Sequence, residues 1–156
     1  MNIDEYYMSI ALKEAKKAFK KGEVPVGAVI VHNNKIIAKG HNLRETTNDI
    51  LKHAELIVIK KASKRLHDWR LENAVMYVTL FPCSMCASAI VSSRIKKIVI
   101  GAPTKDLNTK EIVYKILEGN NTSPSVVIQE NIMEKESKNL LSNFFQEKRL
   151  KKNNIC

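Results

Sequence analysis

Apolar residues recur three and four positions apart through the first twenty residues. Met8, Ala11, Leu12, Ala15 and Phe19 share one face, the stripe of an amphipathic helix packed against a core. Asp4 suits an N-cap and Gly22 a stop, so a helix is predicted from about 4 to 22. Lys13, Lys16, Lys17, Lys20 and Lys21 fill its other face and read as solvated. The pattern then shortens. Residues 25–31 predict a strand, Asn33-Asn34 a tight turn, and 35–41 the returning strand of a hairpin. Thr46 to Asp49 is a polar loop. A helix is predicted over 53–65, with Leu56, Ile59 and Ala62 inward, and a third strand over 74–80. Pro82 opens a short helix, since proline suits a first turn, and 97–101 is a fourth strand. Beyond Gly101 the signals weaken: a helix over 110–117, a loop over 119–124, an edge strand over 126–129. Residues 133 to about 151 form a last helix with Ser137, Leu140, Leu141, Phe144 and Phe145 on one stripe. The order αββαβαβαβα predicts an α/β fold, a three-layer α/β/α sandwich whose central mixed sheet of about five strands carries helices on both faces.

The 156 residues fit one domain, 1–156, whose C-terminal helix and basic tail begin near 133. With 44% hydrophobic and 27% charged residues, the chain as a whole is not disordered. No apolar run reaches the ~18 residues of a membrane helix, so no membrane partner is expected. Met1 to Glu5 lacks the basic start and apolar core of a signal peptide, and a cytoplasmic protein is expected. The net charge of +10 fits a nucleic-acid partner. A lysine excess set by genome composition explains it equally well. The cysteines are Cys83, Cys86 and Cys156, an odd set with one tight pair, which suits metal or redox use better than a disulfide framework.

Two short stretches carry the chemistry. His53-Ala54-Glu55 and Pro82-Cys83-Ser84-Met85-Cys86 each stand at a helix start. Cys83 and Cys86, three apart, share a helix face, and a helix N-terminus lowers a thiol's pKa. With the His53 imidazole they make three zinc ligands. Cys156 sits at the end of the basic tail, and His41 and His67 lack motif spacing, so a fourth position stays open for water, as in catalytic zinc sites. Glu55, two residues past the histidine, can accept a proton and pass it to a leaving amine without binding the metal. That is hydrolytic deamination of an amidine-like ring carbon. A lone C-x-x-C also reads as a redox pair or half of a structural zinc site, and a lone H-x-E means little; the pair together is specific.

H-x-E with P-C-x-x-C is the signature of the zinc-dependent base deaminases. Most of the chain resembles the bacterial tRNA adenosine deaminases, within the cytidine-deaminase-like superfamily. The resemblance runs through Gly22-Glu23-Val24-Pro25-Val26-Gly27, Gly40-His41-Asn42, His53-Ala54-Glu55, Tyr77-Val78-Thr79-Leu80, Pro82 to Ala87, Ser93-Arg94-Ile95 and Gly101-Ala102. It ends in Leu141, Phe144-Phe145 and Lys148-Arg149. It implies conversion of adenosine to inosine at the wobble position of a tRNA anticodon by a homodimer whose subunits both contact the anticodon loop. It also implies one Zn2+ per chain on His53, Cys83 and Cys86, Glu55 as proton shuttle, and Asn42 bonded to the flipped nucleoside. Val24 and Ala54 would line its pocket, and Lys148 and Arg149 would lie near the RNA backbone.

The chain departs from that family at Phe81 (usually Glu), Ile50-Leu51-Lys52 (usually Pro-Thr-Ala), Ser88 (usually Gly) and Thr104 (usually Asp). It also lacks the usual Asn-His around Thr122 to Ser125. Phe81 is expected to pack rather than meet substrate. Three rival functions share these residues. One is a deaminase of free bases or nucleosides such as cytosine, guanine or cytidine. The others are a non-catalytic RNA-binding partner with a degenerate site and a zinc-stabilised structural subunit.

Overall fold

The computed structural model describes residues 1–154; Cys156 lies outside them. Helix α1 (Ile3–Lys20) is capped two residues earlier than the sequence suggests. Asn2, not Asp4, is its N-cap: Oδ1 of Asn2 accepts the Glu5 amide at 2.9 Å, and the Glu5 carboxylate accepts the Asn2 amide. This reciprocal box satisfies two helix-end donors at once. Asp4 is thereby left to accept the Tyr77 hydroxyl at 2.8 Å.

The hairpin forms as expected, β1 (Gly27–His32) with β2 (Lys35–His41). Asn33 and Asn34 take φ of 51° and 59°, the left-handed pair of a type I′ turn, which asparagine tolerates. Next come α2 (Arg44–Thr47), α3 (Ala54–Leu66), β3 (Val75–Leu80), α4 (Ser84–Ser92), β4 (Lys97–Ala102), α5 (Leu107–Leu117), β5 (Val127–Gln129) and α6 (Glu134–Asn153). The sheet order is β2-β1-β3-β4-β5. The hairpin and the β1–β3 pair are antiparallel; β3–β4 and β4–β5 are parallel. The mixed five-stranded sandwich is therefore as the pattern predicted.

Strand alternation divides the core into two layers. Ala28, Ile30, Met76, Val78, Ile98 and Ile100 point to one face, under α3, α4 and α5. Val29, Val31, Tyr77 and Val99 point to the other, under α1 and the half-buried Leu140 of α6. Among the described residues no helix is long and apolar enough to cross a membrane.

Several local expectations are corrected. The α3 stripe is Ala54, Glu55, Val58 and Ala62, with Leu56 and Ile59 only half-buried; the helix presents its smallest residues to the sheet and so approaches it closely. On α6, Phe145 is 44% exposed and only Ser137 and Phe144 are buried. Phe19 of α1 is half-buried, its ring set edge-on against Phe144. Pro82 lies just outside α4, because Cys83 is the N-cap. Asp106 caps α5, starting that helix before Lys110.

Gly27 is where α1 meets the sheet. A Cβ there would lie 2.0 Å from the Ala11 carbonyl oxygen and 2.5 Å from the Ala15 nitrogen, both helix backbone. Gly27→Ala should destabilise the fold by at least ~1–3 kcal/mol, the usual cost of overpacking. A lowered urea midpoint would show it, and an unchanged midpoint would refute this close approach.

Candidate active site

The carboxyl end of β3 and the amino ends of α3 and α4 meet at one point. His53 is the N-cap of α3, and Cys83 is the N-cap of α4. Both have extended backbone, which aims their side chains away from their helices and toward each other. Cys86, in the first turn of α4, shares a face with Cys83. The Nδ1 of His53 lies 3.8 Å from the Cys83 sulfur and 3.6 Å from the Cys86 sulfur. All three donor atoms fall within 4.8 Å of one another.

This set fits zinc. Zinc–sulfur and zinc–nitrogen distances of about 2.3 and 2.0 Å in a tetrahedron place ligand atoms about 3.6 Å apart. Among the described residues neither His41 nor His67 joins the group. His67 ends α3 in the left-handed region. The Nδ1 of His41 faces buried Glu14 at 3.1 Å, and its Nε2 faces Lys21 at 3.0 Å. Glu55 is not one of the grouped donors either.

The protons in this cluster are shared unequally. A hydrogen bond from Cys86, aided by His53, pulls the Cys83 thiol down to about 4. That same bond, with burial, pushes Cys86 up. The bond to Cys83 raises His53. Two helix N-termini favour the thiolate, the form of cysteine that ligates a metal, and an imidazole binds a metal only in its neutral form. Glu55 is 4% exposed, and burial raises its carboxyl above the ordinary range. A carboxyl tuned toward neutrality by burial suits proton transfer.

A cleft of about 170 Å³ opens beside these groups, and Val24, Asn42, Arg44, His53, Glu55 and Phe81 contribute to its wall. Asn42 is a strut across it: one amide hydrogen donates to the Val24 carbonyl at 3.1 Å, and Oδ1 accepts the Ala54 amide at 2.8 Å. Ala54, expected to line the pocket, is instead fully buried in the core under α3 and reaches the cleft region through that amide. Phe81 is buried, as expected for a packing residue, its ring edge-on to Tyr114 at 6.0 Å, yet it also forms cleft wall. Lys148 and Arg149 are exposed on the last turns of α6, outside the cleft. Lys148 lies in a groove with Phe19, Gly22 and Phe144, beside the Gly22-Glu23-Val24 segment that leads into the cleft.

Sequence reasoning missed α2 and the residue that builds it. Glu23 is 1% exposed, and its carboxylate accepts the backbone amides of Glu45 and Thr46 and the Thr46 hydroxyl. It thus closes the start of a four-residue helix that puts Arg44 and Glu45 in the cleft wall. The available signal was an acid amid apolar residues, which burial obliges to find donors.

Comparison with known proteins agrees with this geometry. Residues 1–102 match the family model for the cytidine and deoxycytidylate deaminase zinc-binding region. The tRNA-specific adenosine deaminase of Bacillus subtilis (strain 168) is 47% identical over 152 residues, spanning 97% of this chain and 94% of its own. The chain belongs to the tRNA-specific adenosine deaminase family. A solved structure from studies of A-to-I editing by tRNA:A34 deaminases at the wobble position of transfer RNA is similar to this family member. It has a TM-score of 0.79 and 34% identity over 87% of this chain and 99% of that one. A guanine deaminase from Bacillus subtilis is similar with a TM-score of 0.63 and 32% identity, covering 81% and 83%.

In this deaminase, burial pushes the Glu23 carboxyl up, but the bonds from Thr46 and Glu45 outweigh it and leave it below its ordinary 4.5. A carboxyl lowered on folding stabilises the native state above its unfolded pKa and ceases to as pH falls through its folded one. Glu23→Gln should therefore cost most stability at neutral pH, and its deficit should shrink below about 4.5. Urea midpoints of both proteins across pH 3.5 to 7 would test this; a deficit growing on acidification contradicts it.

Proposed function

We propose that this protein converts adenosine to inosine at the wobble position of a tRNA anticodon by zinc-dependent hydrolysis. One zinc per chain is held by His53, Cys83 and Cys86, and Glu55 is the acid/base. The observation that carries the reading is the donor triad of a zinc site beside a buried, non-ligating glutamate, in a cleft whose wall includes Val24 and Asn42.

Zinc bound there supplies Lewis acidity that brings the ionisation of water toward neutral pH. Glu55 takes one proton from the attacking water as its oxygen bonds to C6 of the adenine ring. It delivers that proton to N1, then carries a second to the exocyclic nitrogen as the C6–N bond breaks and ammonia leaves. Asn42, fixed by Val24 and Ala54, keeps one amide hydrogen for the nucleoside. Val24 and Phe81 give the base an apolar wall. An anticodon base is already unpaired, so its extrusion costs less than from a duplex. Lys148 and Arg149 lie along the RNA backbone, and the enzyme acts as a cytoplasmic homodimer on the anticodon loop.

The likeness to guanine deaminase supports a second reading, deamination of a free purine base. A small neutral base needs no polyanion surface, whereas the chain carries a net charge of +10. Zinc-loaded protein incubated with total tRNA and, separately, with free bases decides between them: inosine in the tRNA supports the first, ammonia from bases alone the second.

Cys83→Ser and Cys86→Ser should each lose zinc, measured as metal per chain, while Cys156→Ser should retain it. Equal loss from all three would indicate a closed, four-ligand structural site. Glu55→Ala should keep its zinc and fold yet lose deamination at least ~10²-fold. Loss of zinc from that variant would make Glu55 a ligand and overturn its role as acid/base.

A further inference from the structure

The loop between α3 and β3 carries the only tryptophan of the chain, Trp69, with 52% of its surface exposed. The Arg70 guanidinium stands 4.4 Å from the centre of its rings, and that of Arg94, from the α4–β4 loop, 5.3 Å. Arg94 takes a left-handed φ of 63°, an unfavourable conformation for a long side chain. Its Nε is buried and makes no hydrogen bond. The other contacts of these arginines are loose: Arg70 to Asp68 at 3.3 Å, Arg94 to Glu72 at 3.5 Å and to the Thr122 carbonyl at 3.4 Å. Exposed pairs of this kind contribute little and exchange readily for another anion. The end of α3 adds Lys60, Lys61, Lys64 and Arg65. Lysine or arginine at a helix C-terminus is explained by the helix dipole. Arg70 lies past the end of α3 and its C-cap His67, so the dipole does not account for it, whereas Arg94 directly follows the C-cap Ser93 of α4.

We propose that Trp69, Arg70 and Arg94 form a second RNA contact, separate from the cleft, with phosphates on the two guanidinium groups and an unpaired base on the exposed indole. This rests on the tRNA reading above. The partner follows from charge and chemistry: a chain of net charge +10 presents guanidinium groups and an open aromatic surface together, the pairing that holds single-stranded nucleic acid. The contact is remote. Trp69 precedes the start of β3 and Cys83 follows its end, so the six-residue strand separates them, a rise of about 17 Å. Stacked nucleotides rise about 3.4 Å each, and an unpaired strand that splays its bases extends to roughly twice that, so about three nucleotides reach this surface from the cleft. A trinucleotide with the reacting adenosine at its centre extends one nucleotide to either side and does not span the distance.

Because Trp69 is the sole tryptophan, its fluorescence reports on this surface alone. The zinc-loaded, full-length protein is titrated with unmodified tRNA and with the trinucleotide, while a label on each RNA records binding independently. Saturating tRNA should change Trp69 fluorescence and the trinucleotide should not. Trp69→Ala and Arg70→Ala should each weaken tRNA binding at least about fivefold. Arg70→Ala should flatten the salt dependence by roughly one phosphate contact. Both variants should deaminate the trinucleotide at the unaltered rate. Unchanged fluorescence at saturation, or wild-type tRNA affinity in both variants, overturns the proposal. So does a fluorescence change driven by protein concentration without RNA, which would mark a protein interface. If tRNA is deaminated while Trp69 stays silent, only this contact fails. If free bases alone are deaminated and no RNA binds, the tRNA reading fails with it.

Discussion

Two helices begin where one strand ends, and the site exists because of that convergence. A helix start leaves backbone amides without partners and carries partial positive charge. Here two such starts face each other across the end of β3, with the donor side chains of His53 and Cys83 at the cap positions. Neither His53 nor Cys83 makes a side-chain cap bond to its own helix. Side chains that would otherwise cap the helices are directed into the shared site. The core beneath keeps the helices in place: Ala54, Val58 and Ala62 of α3 and Ala87, Ile90 and Val91 of α4 share one buried layer with the sheet. Small residues on α3 allow the close approach, so a donor spacing of a few tenths of an ångström's tolerance rests on apolar packing.

Around that point, polar side chains replace regular structure in holding the cleft. Asn42 links the Val24 carbonyl to the first amide of α3. Glu23 supplies the anion that starts α2. Glu14 sits 5% exposed beneath the hairpin end, with Lys17 on one oxygen and His41 on the other. Glu14 and Glu23 are removed from water, Asn42 is half-buried, and each has partners, the condition under which burial of polar atoms is tolerated. Asn42 therefore has two roles: it fixes the geometry of the α3 start and remains in the wall of the cleft.

What the chain reveals before folding follows from how local each signal is. The apolar run of β1 and the Asn33-Asn34 turn are local and formed as read, as did the α1 stripe apart from the half-buried Phe19. The two ligand stretches are local as well, each a short motif at a helix start. Asn2 was missed as a cap because Asp4 offers the same chemistry two residues later. The reciprocal bond with Glu5 decides between them. Leu56 was assigned inward by hydrophobicity, yet the packed face of α3 is set by its distance from the sheet, which favours alanine and valine. Helix α2 is a single turn with no periodicity to detect, and its cause, Glu23, is more than twenty residues upstream. The Trp69 cluster likewise joins loops that only the parallel β3–β4 pairing brings side by side.

Phe81 shows why a departure beside the ligands leaves the metal site intact. It directly precedes Pro82 and Cys83, at the position where the resemblance expects glutamate. Its ring packs edge-on against Tyr114, whose hydroxyl donates to Glu130, and Lys110 stands 5.5 Å from the Tyr114 ring and 3.7 Å from the same carboxylate. The wall therefore has its own support on α5 and the end of β5, independent of the donor triad. A carboxylate in that wall would be a fourth acid beside Glu23, Glu45 and Glu55, and like charges in one low-dielectric cleft raise one another's pKa. With Phe81 there, Glu23 stays ionised through its bonds to α2, and Glu55 is raised chiefly by burial. The substitution thus leaves the buried Glu55 carboxyl with fewer competing charges and gives the cleft an apolar surface, while the geometry of the His53, Cys83 and Cys86 donors remains governed by the cap positions of two helices.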